Sequence, residues 1–532
     1  MIQLIACSMN SNRNQGNIIG TFDNNGFSKF EPGSDSVVIF VSSSEGNDAN
    51  NGTSSERAVK TLARAAALVR DGQNDFIMLR RGDTWRGESL GRFKSGLDAN
   101  NPLVITSYGE STERPRIEID RHFIDHDGHA RSFVAVMGLH IVSYPKMPED
   151  PAFDGATGGG FRYIGGGTGL LIEDCHIQYG ELVVQSYGGY HYENVQIRRN
   201  IIEFNYHVDT CGQNPTYRPS GMYASHVTGL VIEGNIFDHN GWNKDVTSAC
   251  ATMYNHNMYL NANRLIVREN IITRASSIGI KIRSDTSGDV NDLLFENNLL
   301  VDGEIGISIG GNTEEANRFN HVIIRRNVFS QIGMGNPTGR NFSWMLDVKD
   351  NSNTIIENNH FLHQPWYTNA YGIQLQGNSG SNIAITGNIL YNLRQRSIYV
   401  RTMDGWNDIV ISNNTIVDTA HDSSLIDHNG SFDDVVYQNN RYFSNTGDQW
   451  FCVDGLRRTL SQWISVSGET GAVSWTGSFT DPSRTVGTYA ATLGLQNTLE
   501  AFIAAAKKQN RLNWQGKFTA GAVNDYIRAG FN

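Results

Sequence analysis

The sequence has few charged residues, few prolines and no long apolar run. Charged residues make up 18% of its 532 residues, and 11 residues are proline. No apolar run approaches the roughly 18 residues of a membrane-spanning helix, so we expect no membrane span. Acidic residues outnumber basic ones and give a net charge of −11. Because nucleic-acid binding needs a broad basic face, this excess argues against a nucleic-acid partner.

Cysteine is also scarce. The five cysteines are Cys7, Cys175, Cys211, Cys250 and Cys452. An odd number without C-x-x-C spacing argues against a zinc site. Cys211 and Cys250 could form a disulfide, but buried free thiols are the favoured interpretation. Leu4 to Cys7 resemble a lipoprotein cleavage box, yet only three residues precede them, so a chance match is favoured over a truncated start.

An internal repeat runs through most of the chain. In each copy a short apolar strand is followed by Asn and a second apolar pair, with the Asn at Asn200, Asn235, Asn270, Asn298, Asn327, Asn359, Asn388, Asn414 and Asn440. These eight steps cover 240 residues, so the mean period is 30 residues, the length of one coil of a β-solenoid. Such short strands must stack coil upon coil in parallel. The repeat therefore predicts an all-β fold, a right-handed parallel β-helix.

The repeated Asn has two interpretations. At a turn between strands, Asn tolerates the left-handed backbone conformation, and its amide can bond to the Asn of the next coil in a ladder. Alternatively, these residues are ordinary turn residues without stacking. Both interpretations give the same fold.

The repeat also predicts the organisation of the chain. Residues 1–74 contain a strand at 37–43 and a capping helix at 58–69, and residues 75–445 form the β-helix. An uncapped sheet edge invites aggregation, which explains the need for such a helix. Residues 446–532 form a small C-terminal cap with helices at 497–509 and 521–528, packed on the last coils.

A second strand of each coil predicts a binding strip. Alternate side chains of a strand face opposite sides, so two outward columns follow. The first is Tyr223, Tyr259, Lys281, Ser308, Asp347, Gln374 and Tyr399, and the second is Ser225, Asn261, Arg283, Gly310, Lys349, Gln376 and Arg401. Seven coils at about 4.8 Å make a strip of about 30 Å, which suits several sugar units. Its rings, cations and amides, with a single carboxylate, point to an acidic polysaccharide, although a solvated face without a ligand is the alternative.

The densest cluster joins NHNMYLN at 255–261 to ASSIGIKIRSD at 275–285, after DHNGWN at 238–243. These phrases resemble a family of bacterial right-handed parallel β-helix repeat proteins of the pectate lyase superfold, grouped with polysaccharide lyases. The resemblance covers roughly residues 37–445. It implies a secreted, periplasmic or cell-surface protein of bacterial or phage origin. Lyases of this kind use a Lys and an Arg on neighbouring coils, whereas here Lys281 and Arg283 share one coil.

We expect Lys281, Arg283, Tyr259 and His256 to form the catalytic centre. Elimination from a uronic acid needs a group that neutralises the carboxylate, a base for the C5 proton and an acid for the leaving oxygen. Arg283 suits the carboxylate, and Lys281 suits the base. Tyr259 is the expected acid, and His256 is an alternative base. The expected substrate-binding residues are Tyr223, Asn261, Asp347, Lys349, Gln374, Gln376, Tyr399 and Arg401.

Other functions stay open at this point. A glycoside hydrolase needs two carboxylates and would recruit Asp209, Asp238, Asp245 or Asp285 beside Asp347. A C5-epimerase shares most of the lyase chemistry. A non-catalytic glycan-binding solenoid, or a homotrimeric phage tailspike instead of a monomer, is a further alternative. No cofactor is required by these residues, and Ca²⁺ is left open.

Overall fold

The computed structural model describes residues 17, 18, 20–212, 214–284, 289–311, 318–365, 369–401 and 405–532. These residues form two compact units. The first comprises the residues up to Ala251 together with Ala262–Leu265 and Lys507–Gly516. The second comprises Thr252–Asn261, Ile266–Ala506 and Lys517–Asn532. The domain boundaries expected from the sequence stay predictions.

The first unit contains three ladders of parallel strands. One is formed by Val38–Val41, Phe76–Arg80, Leu103–Tyr108, Val134–Met137, Gly167–Glu173, Tyr192–Arg198 and Met222–Glu233. The second is formed by Ile124–Asp125, Phe161–Ile164 and Leu182–Gln185 and joins Met222–Glu233. The third is formed by Thr84–Arg86, Arg116–Ile119, His140–Ser143, His176–Gln178, Ile201–Glu203 and Ile236–Asp238. A short antiparallel pair joins Thr21–Phe22 to Ser28–Lys29.

The second unit repeats this arrangement. One ladder is formed by His256–Asn263, Ile278–Ile282, Ile305–Ile309, Phe342–Lys349, Asn369–Gln376, Arg396–Arg401, Ser424–Asn429 and Phe451–Val453. Another is formed by Leu265–Arg268, Val290–Glu296, Phe319–Arg325, Asn351–Glu357, Gly380–Thr386, Trp406–Ser412 and Val435–Gln438. The third is formed by Ile271–Thr273, Leu299–Val301, Val328–Ser330, His360–Leu362, Ile389–Tyr391, Thr415–Asp418, Arg441–Ser444 and Val473–Ser474. Leu456–Arg458 runs antiparallel to the last strand of the first ladder. The predicted parallel β-helix is confirmed.

The repeated Asn residues form the predicted ladder. In the second unit the Oδ1 of Asn298 accepts hydrogen bonds from the backbone N–H of Asn270 at 3.1 Å and from its side-chain amide at 3.0 Å. The same pattern continues through Asn327, Asn359, Asn388, Asn414 and Asn440. Glu469 ends it, because its carboxylate accepts from Asn440. In the first unit Asn200 bonds to Asn235 in the same way.

The left-handed conformation expected for these Asn residues lies one position earlier. Glu269, Asn297, Arg326 and Asn358 have φ between 52° and 57°. The ladder Asn that follows each of them is fully buried, with its amide directed at its neighbours. The turn therefore uses two residues, one for the backbone bend and one for the hydrogen bonds.

Five α-helices occur in the described ranges: Leu62–Leu68, Leu460–Ser467, Val486–Thr492, Leu499–Ala506 and Ala520–Arg528. Short 3₁₀ turns lie at Ser55–Arg57, Tyr144–Lys146, Gly516–Phe518 and Ala529–Phe531. The first α-helix is shorter than the predicted 58–69 at its start, because Thr61 caps it by accepting a hydrogen bond from the Arg64 N–H at 3.1 Å. Val59 instead bridges in parallel to Val41.

The C-terminal helices pack differently from the sequence-based expectation. Leu460–Ser467 covers the last coils of the second unit through Trp463, whose ring stacks on Phe451 at 4.9 Å. Ala520–Arg528 packs on earlier coils of that unit, where Asn524 donates to the Asn297 carbonyl at 2.9 Å. The helix that covers the last coils was therefore not predicted from the sequence, whereas the predicted helix at 521–528 packs on earlier coils.

One disulfide joins Cys211 to Cys250 in the first unit. The favoured interpretation of these two residues as buried free thiols is therefore wrong, and both are exposed. Cys175 is a buried free thiol, and Cys452 is a half-buried one. Cys7 lies outside the described residues. Among the described helices, none is long and apolar enough to cross a membrane.

Candidate active site

A polar column runs along one ladder of the second unit. Strand register aligns Tyr259, Lys281, Ser308, Asp347, Gln374, Tyr399 and Asp427 as direct neighbours. The alignment of the six predicted residues in this unit is confirmed. Tyr223 belongs to the first unit, where it pairs with Val183. Asp427 extends the column and gives it a second carboxylate.

The polar column is buried rather than exposed, which corrects the expectation of an open face. Lys281 is 8% exposed, Asp347 is 7% exposed and Gln374 is 4% exposed. Side chains on neighbouring parallel strands stack about 4.8 Å apart, so each one covers the next. Tyr259 and Tyr399 are half-buried. The column is therefore largely shielded from solvent, in surroundings of low dielectric.

A second row lies three residues before the polar column, and we call it the outer row. Its members are His256, Ile278, Ile305, Trp344, Tyr371, Arg396 and Ser424. Two successive residues of each strand face the core between these rows. A Cβ on Gly372 would lie 2.5 Å from Leu393 Cδ1, and Ile373 is fully buried. This bend places Tyr371 on the same side as Gln374, although strict alternation would not.

Aromatic rings and cations line both rows. Trp344 stacks on Tyr371 at 5.1 Å and on Phe342 at 4.7 Å between ring centroids. The Arg396 guanidinium lies 4.6 Å from the centre of the Tyr399 ring, and that of Arg401 lies 5.9 Å from it. Sequence reasoning missed Trp344, Tyr371 and Arg396, because it assumed strict alternation.

Lys281 lies in a chain of hydrogen bonds along the polar column. Its Nζ donates to Ser308 Oγ at 3.2 Å and to the Gly310 carbonyl. Ser308 Oγ donates to Asp347 Oδ2 at 3.3 Å, and the Gln376 amide donates to Asp347 Oδ1 at 2.8 Å. Burial lowers the pKa of Lys281 to about 8, against the opposing effect of the Asp347 charge. Burial also raises the pKa of Asp347, which Lys281 opposes.

Arg283, Tyr259 and His256 form a stack beside Lys281. Arg283 donates to the Tyr259 hydroxyl at 3.0 Å, and the Tyr259 ring stacks on His256 at 5.3 Å. Burial, followed by the charges of Lys281 and Arg340, lowers the pKa of His256 to about 3. His256 is therefore neutral and a weak base. The four predicted catalytic residues are brought together on two neighbouring coils.

Two buried carboxylates near these rows are paired with arginine. Glu304 binds the Arg340 guanidinium at 2.5 Å, and Arg340 also donates to Ser277 Oγ at 2.6 Å. Asp427 binds Arg396 at 2.7 Å. The phrase Ile426-Asp427-His428 continues the repeat that gives Tyr399, so this signal was present in the sequence. Arg340 and Glu304 lie outside the repeat.

The remaining predicted residues take varied positions. Lys349 pairs with Gln376 in the ladder, and both are half-buried. Asn261 is buried, and Arg401 is exposed.

The alternative carboxylates belong elsewhere. Asp209 and Asp245 are exposed residues of the first unit. Asp238, also in that unit, is buried and contacts Lys507. Asp285 lies outside the described residues.

Within the described part of the chain, no group of three or more His, Cys, Asp or Glu side chains could hold a metal ion. A Ca²⁺ requirement stays a prediction.

The sequence matches no known protein family and no curated protein. Among solved structures it is similar to a mannuronic acid specific polysaccharide family 6 lyase from human gut microbiota, with 12% identity, coverage of 86% of this chain and 94% of that one, and a TM-score of 0.46. It is similar to a surface adhesin of Streptococcus pneumoniae at 11% identity, with 68% and 86% coverage and a TM-score of 0.41. It is also similar to the A-module of a mannuronan C-5 epimerase of Azotobacter vinelandii, with 12% identity, coverage of 75% of this chain and 89% of that one, and a TM-score of 0.34. The parallel strand ladders of each unit identify the chain as a parallel β-helix protein.

Proposed function

We propose that the protein is an enzyme that cleaves an acidic polysaccharide by β-elimination next to a uronic acid. The observation that carries the proposal is the cluster on two neighbouring coils, where Arg283 bonds to Tyr259 beside the buried Lys281. This cluster brings a cation, a proton donor and an amine together on two neighbouring coils. These are the groups that elimination requires.

The reaction assigns one role to each side chain. Arg283 binds the uronate carboxylate and stabilises the charge that develops there. Neutral Lys281 removes the C5 proton, and the electron pair forms the C4–C5 double bond. The C4–O bond breaks, and the Tyr259 hydroxyl protonates the leaving oxygen. His256 stays neutral and supports the Tyr259 ring.

A low pKa makes Lys281 suitable as the base. At pH 8 about half of a group with a pKa near 8 is neutral, whereas an ordinary lysine is almost wholly charged. The turnover rate should therefore rise as the pH passes through 8.

A substrate panel tests the proposal. The protein is incubated with pectate, alginate and acidic glycosaminoglycans, and both the ultraviolet absorbance of the new double bond and the reducing ends are followed. We expect both to increase together with one of these polymers. In Lys281→Ala we expect the rate to fall by about 10² to 10⁴, the usual effect of losing a general base.

Lys508→Ala is the matched control, because Lys508 is an exposed lysine of the first unit. Its turnover should equal that of the unaltered protein, and Arg401→Ala should mainly raise KM. Near-normal turnover by Lys281→Ala would contradict the proposed base. Reducing ends without absorbance would indicate hydrolysis, and altered uronate composition without either would indicate a C5-epimerase.

Hydrolysis is less well supported by the arrangement of carboxylates. Asp347 and Asp427 are three coils apart in the polar column, a distance of about 14 Å at about 4.8 Å per coil. Paired carboxylates in glycosidases usually lie about 5–9.5 Å apart. Each of these two is also engaged by neighbouring side chains.

We also propose that the protein works in an oxidising compartment, outside the cell or in the periplasm. The disulfide between Cys211 and Cys250 supports this location. A trimeric mass in solution would favour the tailspike alternative, and binding without turnover would favour a glycan-binding solenoid.

A further inference from the structure

Three buried polar atoms near the two rows have no hydrogen-bond partner among the described residues. They are His256 Nδ1, Arg283 Nε and the Tyr371 hydroxyl oxygen. Leaving such a group unpaired in the folded protein is costly, so each needs an explanation. Two of the atoms belong to the proposed reaction centre. Tyr371 does not, because its strand lies three coils further on, about 14 Å away.

The Tyr371 side chain is held rigidly on the side of the polar column. It is 1% exposed, and its ring lies between those of Trp344 and Tyr399, with centroids at 5.1 and 6.4 Å. The adjacent Gly372 and Ile373 face the core. The hydroxyl therefore lies on the side of the polar column, near Asp347 and Arg401, and has no partner in the described part of the chain.

The surroundings of Tyr371 suit an acidic sugar. Burial, together with the Asp347 charge, holds the pKa of Tyr371 well above its usual value, so the hydroxyl stays a hydrogen-bond donor. Gln374 stands three residues along the same strand, and Arg401 is an exposed cation next to the Tyr399 ring. Aromatic faces, one buried donor and one arginine fork match a ring with a carboxylate.

We propose that Tyr371 and Arg401 form a second uronate-binding subsite, in which the Tyr371 hydroxyl donates to a sugar oxygen and the Arg401 guanidinium binds a carboxylate. The inference rests on the proposed function, because the ligand is a later unit of the same polysaccharide chain. The subsite gives a role to Tyr371, which takes no part in the proposed elimination. The subsite makes long uronate chains bind better than short ones.

Calorimetric binding tests this subsite without turnover. In Lys281→Ala protein, the affinities of dimers, tetramers and hexamers of galacturonate, mannuronate, guluronate and glucuronate are measured. We expect the affinity for one of these sugars to rise with chain length. Adding Tyr371→Phe should weaken the longest oligomer by about 2- to 12-fold, the usual value of one neutral hydrogen bond, and leave the dimer unchanged.

Tyr163→Phe is the matched control. Tyr163 is 1% exposed, and its hydroxyl also lacks a partner within the described ranges, but it faces the core of the first unit. Neither variant should lose thermal stability without ligand, because each removes an unpaired buried group. Only Tyr371→Phe should lose affinity.

Equal affinity of Tyr371→Phe and its parent for every oligomer, or a loss of stability with no loss of affinity, would overturn the subsite. If the unaltered protein binds longer oligomers better but does not cleave any of them, the proposed lyase activity is wrong and the subsite is still supported.

Discussion

Lys281 and Asp347 are opposite charges held in one buried column without direct contact. Ser308 lies between them, accepting from the amine and donating to the carboxylate. Burial lowers the pKa of Lys281 and raises that of Asp347, so it favours the neutral form of both. The charge of each partner opposes that shift in the other. Asp347 therefore acts on Lys281 as a positioning residue, in addition to any role it has toward substrate. This coupling sets the pH at which the amine becomes a base.

Replacing Asp347 should move the pH profile in a defined direction. The Asp347 charge raises the pKa of Lys281, so Asp347→Asn should lower that pKa below about 8. The rising limb of the rate against pH should shift to lower pH by the same amount. Nuclear magnetic resonance of isotope-labelled lysine would measure the amine directly, so the result does not depend on turnover.

Asp427→Asn is the control for this experiment. Asp427 belongs to the same column, but it lies three coils beyond Asp347 and binds Arg396. Its loss should leave the Lys281 titration in place. An unchanged titration in Asp347→Asn would show that the two groups are not coupled.

Strict alternation of side chains along a strand predicts part of the site, and the strands depart from it at the rest. Tyr259, Lys281 and Asp347 were predictable, because each lies at an alternate position of a regular strand. Tyr371 and Trp344 were not, because two consecutive residues turn inward between the rows. Gly372 marks this bend, since a Cβ there would collide with the leucine core. For Tyr371 the glycine that follows it was the available signal, whereas Trp344 is followed by Met345 and has no such signal.

At the scale of one element, the turn with its Asn ladder explains how the coils keep register. Each Asn joins its own coil to the next through both its oxygen and its amide, in a fully buried position. The repeat of Asn was visible in the sequence, and so was the period. The left-handed conformation of the residue before each Asn was not visible in the sequence, because Arg, Glu and Asn all occupy that position.

Asn327→Ala should be strongly destabilising. The substitution leaves the Asn298 N–H and amide without their acceptor and removes donors to Phe295 and Asn359. Each buried group left unpaired costs about 1–3 kcal/mol, so the free energy of unfolding should fall by at least about 3 kcal/mol. Urea denaturation followed by circular dichroism would measure it.

Asn407→Ala provides the comparison for the ladder, because Asn407 is an exposed residue on a strand of the same unit. Its effect should stay within about 0.5 kcal/mol. Similar losses for both variants would mean that the ladder contributes nothing specific.

At the scale of the molecule, charge is distributed unevenly. The chain carries a net charge of −11, which repels an acidic polymer at long range. Among the described residues, the two rows and their flanks nevertheless collect Lys281, Arg283, Lys349, Arg396 and Arg401, while the polar column holds the carboxylates Asp347 and Asp427. An acidic glycan should therefore bind through local contacts at these cations rather than through the overall field.

The disulfide of the first unit should contribute to stability without taking part in the reaction. Cys211 and Cys250 are 39 residues apart, and closing a loop of that length stabilises by about 4 kcal/mol in the chain-entropy model. Calorimetry of the Cys211→Ser, Cys250→Ser double variant should show an earlier unfolding transition, and a reducing agent should lower that of the unaltered protein to match. Cys452→Ser, which removes a half-buried free thiol of the second unit, should leave the transition in place.

Because the reaction centre is built from residues of the second unit, turnover of the double variant below its transition should equal that of Cys452→Ser. A transition that neither serine substitution nor reductant moves would mean that the loop is already ordered by other contacts, such as the hydrogen bond from Thr210 to the Cys250 carbonyl at 2.9 Å.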